Sequence, residues 1–323
     1  MTAGTTFSVV LPTRDRCHLL PRAAASVLAQ TPGGGRDDLE LLVVDDASAD
    51  GTGDWLRALG DPRVVHLRRE TPGGAAAARN EALRRARGRF VVFLDDDDEL
   101  LPGMLGAVAR TFDAAPPEVG FLWCGVEMVR DREGGAEPVK RLVRPAPEAP
   151  LRYPESLLHL ETGTGFGLAV RREVAERVGP FDEALRAGVD FDWLIRLGAC
   201  AAFTVIPEVL VRIHLHGAGQ VTDPTPEKAA SFDRILAKHR AFFERHPEVT
   251  RRVLKKTAAL HYGLGERRRG RAHALRMVRL APGRLAGWKT LACLELFGTE
   301  ALDLRRRLTG RPAAPAPAPA EEG

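Results

Sequence analysis

The 323-residue chain contains little cysteine and no long apolar run. Its four cysteines are scattered, without a Cys-X-X-Cys pair or a zinc-ligand spacing, which excludes a disulfide framework and is typical of a reducing compartment. No signal-peptide pattern opens the sequence, and no apolar run approaches the ~20 residues that a membrane span needs. We therefore expect a cytoplasmic protein, although contact with a membrane surface stays open.

The overall composition is that of a globular protein, with 44% hydrophobic and 28% charged residues. The net charge of +4 hides an asymmetry between two parts of the chain. Residues 225–311 contain 21 Lys and Arg against 8 Asp and Glu, whereas the remainder contains 26 basic and 35 acidic residues. This difference suggests two units with different surroundings, and the chain length favours one large α/β domain with an appended element.

An apolar run at residues 91–94 ends abruptly in four consecutive carboxylates, Asp95 to Asp98. The apolar part is typical of a buried central strand. Four adjacent acids repel one another unless a cation lies among them, and Mg²⁺ or Mn²⁺ prefers oxygen ligands. The run therefore suggests a metal–diphosphate site at the end of a strand, and a solvated acidic loop is the alternative.

Strands and helices alternate through the first hundred residues. A second apolar run also ends in acids, Asp45-Asp46, and in open α/β sheets ligands bind at the carboxyl ends of the strands. The pattern predicts a parallel sheet with helices on both faces, which favours the metal site over the solvated loop. Strands are expected at 7–12, 39–44, 63–67 and 90–94, and helices at 19–30, from 52, and at 75–86.

Several of these segments resemble the family 2 inverting glycosyltransferases of the GT-A fold. The matching segments follow in order as SVVLPTR (8–14), LVVDDASADGT (42–52), AARN (77–80), FLDDDD (93–98), GPFDE (179–183) and DFDW (190–193). Each motif is weak alone, but the ordered series is specific and covers about two-thirds of the chain. The resemblance implies a Rossmann-like, mainly parallel sheet flanked by helices, with a C-terminal helical extension.

The resemblance also implies roles for single residues in nucleotide and metal binding. Pro12, Thr13 and Asp15 would line the base pocket, Asp45 would accept a hydrogen bond from the base, and Arg79 would face the nucleotide. Asp97 would bind the metal ion within the Asp-X-Asp motif, and Asp95 or Asp96 would reach the ribose or a metal-bound water. The register within the four acids stays open by one residue. Asp45 could instead cap a helix, and Arg79 could be an exposed helix charge.

Two further candidates lie later in the chain. Family members carry an acidic pair whose second acid is the catalytic base, and here that position is Asp190, while Val189 replaces the first acid. Asp192 would support Asp190, although acids that open a helix also favour its dipole. His214 follows a predicted strand at 203–211, where some family members have a histidine at the metal or diphosphate. A surface or hydrogen-bonded histidine is the alternative.

The remaining segments carry fewer signals. Residues 131–150 are rich in Pro, Glu and Arg and predict a loop, and 160–167 form a glycine-rich turn that is not a P-loop. From residue 226 the pattern predicts helices with basic runs. Each run alone is typical of a solvated helical face, whereas their summed charge suggests contact with anionic lipid or an anionic acceptor, and no nucleic-acid motif accompanies them. We expect domains at 1–222 and 223–311 and a disordered Pro/Ala tail at 312–323.

Together these features predict a metal-dependent inverting glycosyltransferase. It would use Mn²⁺ or Mg²⁺ and a nucleotide-diphospho-sugar, with UDP as the expected nucleotide, and transfer the sugar to an unknown acceptor. That acceptor could be a lipid-linked glycan, a polysaccharide, a peptide or a small metabolite. The alternatives are a sugar nucleotidyltransferase, a non-catalytic nucleotide-sugar-binding module, and a scaffold built on the basic helices.

Overall fold

The chain divides into two compact units in a computed structural model. The first comprises Met1–Ala184 with Val189–Leu215, and the second Leu185–Gly188 with His216–Gly323. The structure describes residues 6–31, 38–132, 135–143, 146–151, 167–215 and 225–297. The expected domain boundary after residue 222 and the expected tail at 312–323 lie outside these ranges.

One mixed β-sheet forms the centre of the first unit. Within the described residues it has the strand order β3-β2-β1-β4-β8-β6-β9-β5, and β7 pairs with β6. The strands are β1 (Phe7–Thr13), β2 (Leu39–Asp45), β3 (Val64–Arg68), β4 (Phe90–Phe93), β5 (Glu99–Leu100), β6 (Val119–Arg132), β7 (Gly135–Leu142), β8 (Leu168–Arg171) and β9 (Ala202–His214).

The four strands predicted from the first hundred residues are confirmed, and they are parallel to one another. The second half of the sheet adds antiparallel pairs, because β8 runs against both β4 and β6, while β6 and β9 are parallel. The parallel arrangement therefore holds for the half of the sheet that carries the acidic strand ends. The carboxyl ends of these parallel strands all lie at the same edge of the sheet.

Helices cover both faces of the parallel half, which explains why its strands are apolar throughout. Phe7, Val9 and Leu11 of β1 share a buried cluster with α1 (Leu20–Leu28) and α4 (Met104–Ala114). On the opposite face Phe93 meets the rings of Phe181 and Trp193 edge-on, at centroid distances of 5.9 and 5.7 Å. The other helices of this unit are α2 (Thr52–Leu59), α3 (Gly74–Arg85), α5 (Arg172–Val178) and α6 (Val189–Cys200).

The predicted loop at 131–150 is wrong over its first part. β6 continues to Arg132, and Gly135–Leu142 forms β7, which pairs antiparallel with the end of β6. β7 is exposed along most of its length and contains Pro138, which a strand tolerates at a sheet edge or beside a bulge. A bulge between Met128 and Val129 lies opposite this part of β7. With no buried face, β7 has no hydrophobic alternation that sequence could reveal.

The second unit is helical. Its described helices are α7 (Pro226–Lys238), α8 (Arg240–Arg245), α9 (Pro247–Gly263), α10 (Arg267–Arg279) and α11 (Leu285–Phe297). Thr225 caps α7 by accepting the N–H of Lys228, and Pro226 occupies the first helical turn. Ala258, Tyr262, Ala274 and Leu294 form a small core. None of the helices in the described ranges has an apolar stretch long enough to cross a bilayer.

Candidate active site

The carboxyl ends of β1, β2 and β4 bring three predicted residues together. Thr13 lies opposite Asp45 in the register of β1 and β2, and the acidic run follows β4 directly. The Thr13 hydroxyl donates a hydrogen bond of 2.7 Å to Asp96 Oδ2. Three strands that are consecutive in the sheet therefore place Thr13, Asp45 and Asp96 at one edge.

Two arginines from the segment after β1 contact the acidic run. Arg16 Nη1 lies 2.9 Å from Asp96 Oδ1 and 3.1 Å from Asp97 Oδ2, and its side chain is half exposed. Arg22 Nη2 donates to the backbone carbonyl of Asp97 at 3.0 Å. These cations balance part of the negative charge of the run, so Asp96 and Asp97 are held by protein side chains in this structure.

Arg79 of α3 joins the acidic run to the predicted catalytic base. Its Nη2 lies 2.9 Å from Asp95 Oδ1 and its Nη1 lies 3.0 Å from Asp190 Oδ1. The guanidinium side chain is only 7% exposed. Burial lowers the pKa of Arg79, but Asp190 and Asp95 raise it more, so it stays a cation. Arg79 is therefore a buried charge between two carboxylates and not an exposed helix charge.

Asn80, the next residue of α3, fixes the chain before α6. Its amide accepts the N–H of Phe181 at 2.7 Å and donates to the Phe181 carbonyl at 3.0 Å and to Glu183 Oε1 at 2.8 Å. The Phe181 ring stacks on Trp193 of α6 at a centroid distance of 4.7 Å. Adjacent residues of α3 thus fix the approach to α6 and the carboxylate of Asp190 at its start.

Asp192 has a different surrounding from Asp190. Its side chain is fully buried and pairs with Arg196 one turn later at 3.1 Å. Arg196 in turn donates to the carbonyls of Val178 and Pro180 at 2.8 Å. In this structure Asp192 supports the local fold of α6, and Asp190 is the acid that turns to the strand edge.

Burial and mutual repulsion disfavour the charged form of three acids in the run. Burial raises the pKa of Asp98 to about 9, and the negative charges of Asp95 and Asp97 add to this shift. Burial also raises the pKa of Asp95 and Asp96, although Arg79 lowers the first and Thr13 and Arg16 lower the second. A bound cation would oppose these upward shifts.

His214 lies at the end of β9, inside the strand and not after it. Its backbone N–H donates to Asp98 Oδ1 at 3.1 Å, which connects it to the acidic run. Its Nδ1 lies 2.7 Å from Asp131 Oδ1 and its Nε2 lies 2.7 Å from Glu99 Oε1. Both ring nitrogens face carboxylates, so metal binding by His214 would need one of these contacts to open. Its role as a ligand stays a prediction.

The residues predicted for the base pocket form a connected turn. Asp45 is fully buried, accepts the N–H of Ser48 at 2.7 Å, and pairs through its other oxygen with Arg68. Burial raises the pKa of Asp45, but the bonds from Ser48 and Arg68 outweigh it, so the net shift is downward. Asp15 accepts the N–H of Ala49 at 2.7 Å. Pro12, half-buried, precedes Thr13 in β1.

Asp46 contacts the start of α3. Its carboxylate accepts the N–H groups of Gly73 and Gly74 at the start of α3, at 2.9 and 2.7 Å. Arg69 Nε lies 2.9 Å from the same carboxylate. The acid holds the positive end of the helix that carries Arg79 and Asn80.

The acidic run has the donor chemistry of a hard-cation site. Carboxylate oxygens suit Mg²⁺ and Mn²⁺, and Mg²⁺ is usually held by one or two carboxylates plus substrate phosphates. Among the residues that the structure describes, no three of these acids bring ligand oxygens within 4.8 Å of one another. Asp97 is a suitable ligand, because its side chain is more exposed than that of Asp96, the other acid that Arg16 contacts.

Most of the predicted residues belong to one network around the acidic run. Thr13 contacts Asp96, and the run reaches Arg79, Asp190 and His214. Asp15 and Asp45 meet separately, through Ser48. Sequence reasoning missed the partners that hold this network, because their signals are single charged residues far away in the chain. These partners are Arg16, Arg22, Arg68, Glu99 and Asp131.

Comparison with known proteins gives a consistent result at the level of sequence. A family model described as glycosyl transferase family 2 matches residues 8–179. WcaA of Escherichia coli K12, whose name assigns it to colanic acid biosynthesis as a glycosyl transferase, is 28% identical over 245 residues, or 74% of this chain and 82% of WcaA. The succinoglycan biosynthesis protein ExoO of Rhizobium meliloti is 29% identical over 73% of this chain and 68% of its own.

Two further similarities concern a short region and the fold. A glucosyltransferase of Escherichia coli named WfgD, described as UDP-Glc:alpha-D-GlcNAc-diphosphoundecaprenol beta-1,3-glucosyltransferase, is 42% identical over 91 residues, or 28% of this chain and 34% of WfgD. The crystal structure of S. aureus TarS 1–349 in complex with UDP-GlcNAc superposes with a TM-score of 0.58 at 19% identity. It covers 85% of this chain and 91% of TarS 1–349. At that identity the similarity shows the fold.

Proposed function

Because the chain belongs to glycosyl transferase family 2 and has the GT-A fold, we propose that it is a metal-dependent inverting enzyme that transfers a sugar from a UDP-sugar to a carbohydrate hydroxyl. The observation that carries this proposal is the Arg79 bridge. The guanidinium of Arg79 contacts both Asp190, at the start of α6, and Asp95, at the end of β4. A proton acceptor and an acidic run suited to a metal–diphosphate then share one edge of the sheet.

The proposed nucleotide lies over the turn formed by β1 and β2. Asp45, Thr13 and Asp15 offer the oxygens that can read a base and its ribose, and the lowered pKa keeps Asp45 an acceptor. Arg68, which is half exposed, pairs with Asp45 and would yield its place to the base. The choice of UDP is supported by TarS, which was crystallised with UDP-GlcNAc and with UDP, and by the UDP-Glc donor in the name of WfgD.

The leaving diphosphate needs its growing charge stabilised. Asp97, with Asp95 or Asp96, would hold the divalent cation, which supplies Lewis-acid stabilisation of the diphosphate oxygens when bound. Arg16 lies within hydrogen-bond distance of both Asp96 and Asp97 and can orient these carboxylates. Because the pKa of Asp98 is raised to about 9, the neutral carboxyl is favoured at pH 7. Asp98 then accepts the His214 N–H without adding a negative charge to the site.

Asp190 would take the proton of the acceptor hydroxyl while that oxygen attacks the sugar. One carboxylate is sufficient for a single displacement with inversion, so the missing first acid at Val189 does not remove the base. Arg79 holds one oxygen of Asp190, and the 30% exposed side chain lets an acceptor approach the carboxylate. The names of WcaA, ExoO and WfgD support a glycan as the acceptor. Membrane contact through the basic helices stays a prediction.

The substitution Asp190→Asn tests the assignment of the base. We expect UDP release from UDP-sugar in the presence of Mn²⁺ and a glycan acceptor panel to fall by at least ~100-fold, because general-base catalysis contributes about that much. UDP binding measured by calorimetry should stay within about twofold. Asp113→Asn is the matched control, since Asp113 is an exposed acid paired with Arg89. Wild-type rates in Asp190→Asn would show that another group is the base.

A second measurement separates transfer from binding alone. The wild-type chain should release UDP only when both a divalent cation and a matching sugar donor are present, and chelation with EDTA should stop the release. If UDP binds with Mn²⁺ but no donor in a panel of UDP-sugars is consumed, the protein is a nucleotide-sugar-binding module. Release of diphosphate instead of UDP would identify a nucleotidyltransferase.

A further inference from the structure

Three side chains of the helical unit converge away from the acidic run. Asp233 lies on α7, His261 in the last turn of α9, and His273 on α10. His261 Nε2 lies 3.0 Å from Asp233 Oδ2, and His273 Nε2 lies 2.9 Å from Asp233 Oδ1. Each residue offers one ligand atom, and the three atoms lie within 4.8 Å of one another.

A fourth residue orients the buried histidine. Glu266, at the N-cap of α10, lies 2.7 Å from His261 Nδ1, and the His261 side chain is 1% exposed. The other ring nitrogen, Nε2, also faces a carboxylate, that of Asp233. If Nε2 binds a metal ion, Nδ1 carries the ring proton and donates it to Glu266. Metal-ligating histidines have this arrangement, in which the second ring nitrogen donates to a carboxylate.

The two histidine rings of the cluster lie face to face, with a centroid distance of 5.3 Å and an interplanar angle of 8°. Each ring presents its Nε2 to the Asp233 carboxylate, His261 at 3.0 Å from one oxygen and His273 at 2.9 Å from the other. One carboxylate and two imidazole nitrogens therefore meet at one place.

One oxygen of the Asp233 carboxylate is not satisfied by a hydrogen bond from the part of the chain that the structure describes. Its Oδ1 is buried, and among the described residues it has no hydrogen-bond partner, although His273 Nε2 is only 2.9 Å away. The distance is that of a hydrogen bond, but the N–H direction is not. A buried carboxylate oxygen beside an imidazole nitrogen, with no hydrogen bond between them, is placed to bind a cation together with that nitrogen.

We propose that Asp233, His261 and His273 bind one divalent transition-metal ion of the zinc class, with Glu266 positioning His261. Two imidazoles and one carboxylate are ligands of Zn²⁺, whereas Mg²⁺ and Ca²⁺ prefer oxygen alone. Ligands ~2.0–2.1 Å from a tetrahedral ion are about 3.4 Å apart, so the observed contacts need to open by about half an ångström. Asp233 and His273 are 35% and 20% exposed, which leaves a fourth position for water.

The ion would act on the stability of the helical unit. Its three ligands come from α7, α9 and α10, each of which also buries apolar side chains. A metal bond from Asp233 to both histidines would connect α7 to the turn between α9 and α10. This role does not depend on the proposed sugar transfer.

Zinc titration of the full-length chain tests the proposal. The protein is stripped with EDTA, dialysed, and titrated with ZnCl₂ at pH 7.5 by calorimetry, with thermal unfolding followed in parallel. We expect one stoichiometric site and a rise in Tm of ~5 °C or more at saturating zinc. His273→Gln should lose the site, and the matched control His239→Gln, in the same unit but outside the cluster, should keep it.

Two further variants distinguish zinc binding at this cluster from zinc binding at the acidic run and from loss of folding. Glu266→Gln should keep one equivalent of Zn²⁺ but weaken its binding by about tenfold, because it changes only the group that orients His261. Asp97→Asn should bind Zn²⁺ here as the wild type does, since that change affects the other unit. Circular dichroism of zinc-free His273→Gln checks that the variant is folded. Equal zinc binding by wild type and folded His273→Gln, or no stoichiometric binding by wild type, would overturn the proposal.

Discussion

Replacing Arg79 with methionine removes the charge between Asp95 and Asp190 and keeps an unbranched side chain in α3. The two N···O distances are 2.9 and 3.0 Å, and the Arg79 side chain is 7% exposed, while Asp95 and Asp190 are 41% and 30% exposed. Removing one partner of a fully buried ion pair costs about 3–5 kcal/mol, and exposed pairs contribute about 0.2–1 kcal/mol. With a buried cation and two partly exposed acids, we expect the free energy of unfolding to fall by about 2–3 kcal/mol.

The same substitution should have the opposite effect on cation binding. Without Arg79, two carboxylates at the strand edge lose their counter-charge, so a divalent cation is attracted more strongly. We expect Mn²⁺ to bind about tenfold more tightly to Arg79→Met, a difference of ~1.4 kcal/mol. Sugar transfer should nevertheless fall, because Asp190 is no longer held beside the acidic run.

Thermal unfolding with EDTA and with Mn²⁺ measures both effects. For a unit of about 200 residues, 2–3 kcal/mol lowers Tm by ~5–10 °C. Mn²⁺ should therefore raise Tm further in Arg79→Met than in the wild type. The control is Arg85→Met on the same helix, since Arg85 is 61% exposed and pairs only at 3.6 Å with Glu81, so its change should stay within about 0.5 kcal/mol. An unchanged Tm in EDTA, or a smaller Mn²⁺ shift in Arg79→Met, would refute the reasoning.

Two other substitutions test the sheet edge and its opposite end. Because the pKa of Asp98 is about 9 in the folded chain and ~4 when unfolded, its contribution to stability is fully present below pH ~4 and is lost as the pH rises towards 9. Asp98→Asn cannot ionise, so in EDTA its advantage over wild type in urea unfolding should grow from pH 6 to pH 8.5; a constant difference would contradict this sign. Gly88→Ala should lower the free energy of unfolding by ~3 kcal/mol, because its Cβ would lie 2.5 Å from the Phe7 carbonyl carbon and the Ser8 nitrogen. Gly103→Ala should lower it by only about 1 kcal/mol, because the new Cβ meets open space and only the φ of +85° is unfavourable. Equal losses in these two variants would show that the close contact at Gly88 relaxes.

The parallel half of the sheet was predictable because burial leaves a strong pattern. Strands covered on both faces are apolar throughout. The acids at or just after the carboxyl ends of β2 and β4 break that apolar pattern, so they mark where each strand ends. The family resemblance, now confirmed by the match to residues 8–179, supplied the roles that a pattern alone does not give. β7 was missed because its side chains are exposed on both faces.

The contacts within the site were less predictable than its residues. Arg16 reaches Asp96 across 80 positions, and the ring nitrogens of His214 meet Asp131 and Glu99 across 83 and 115 positions. No local rule connects residues at such separations, because the fold alone sets their distance. The same applies to Asp233, His261 and His273, whose spacings of 28 and 12 residues match no metal-ligand motif.

The double anchoring of α6 by Arg79 and Asn80 makes the position of Asp190 depend on a single helix. The position of Asp190 depends on α3, whose own start is held by Asp46 at the end of β2. Both anchors are adjacent residues of α3. A displacement of α3 would therefore move its contacts to Asp190 and to Phe181 together, so neither contact can be adjusted without the other.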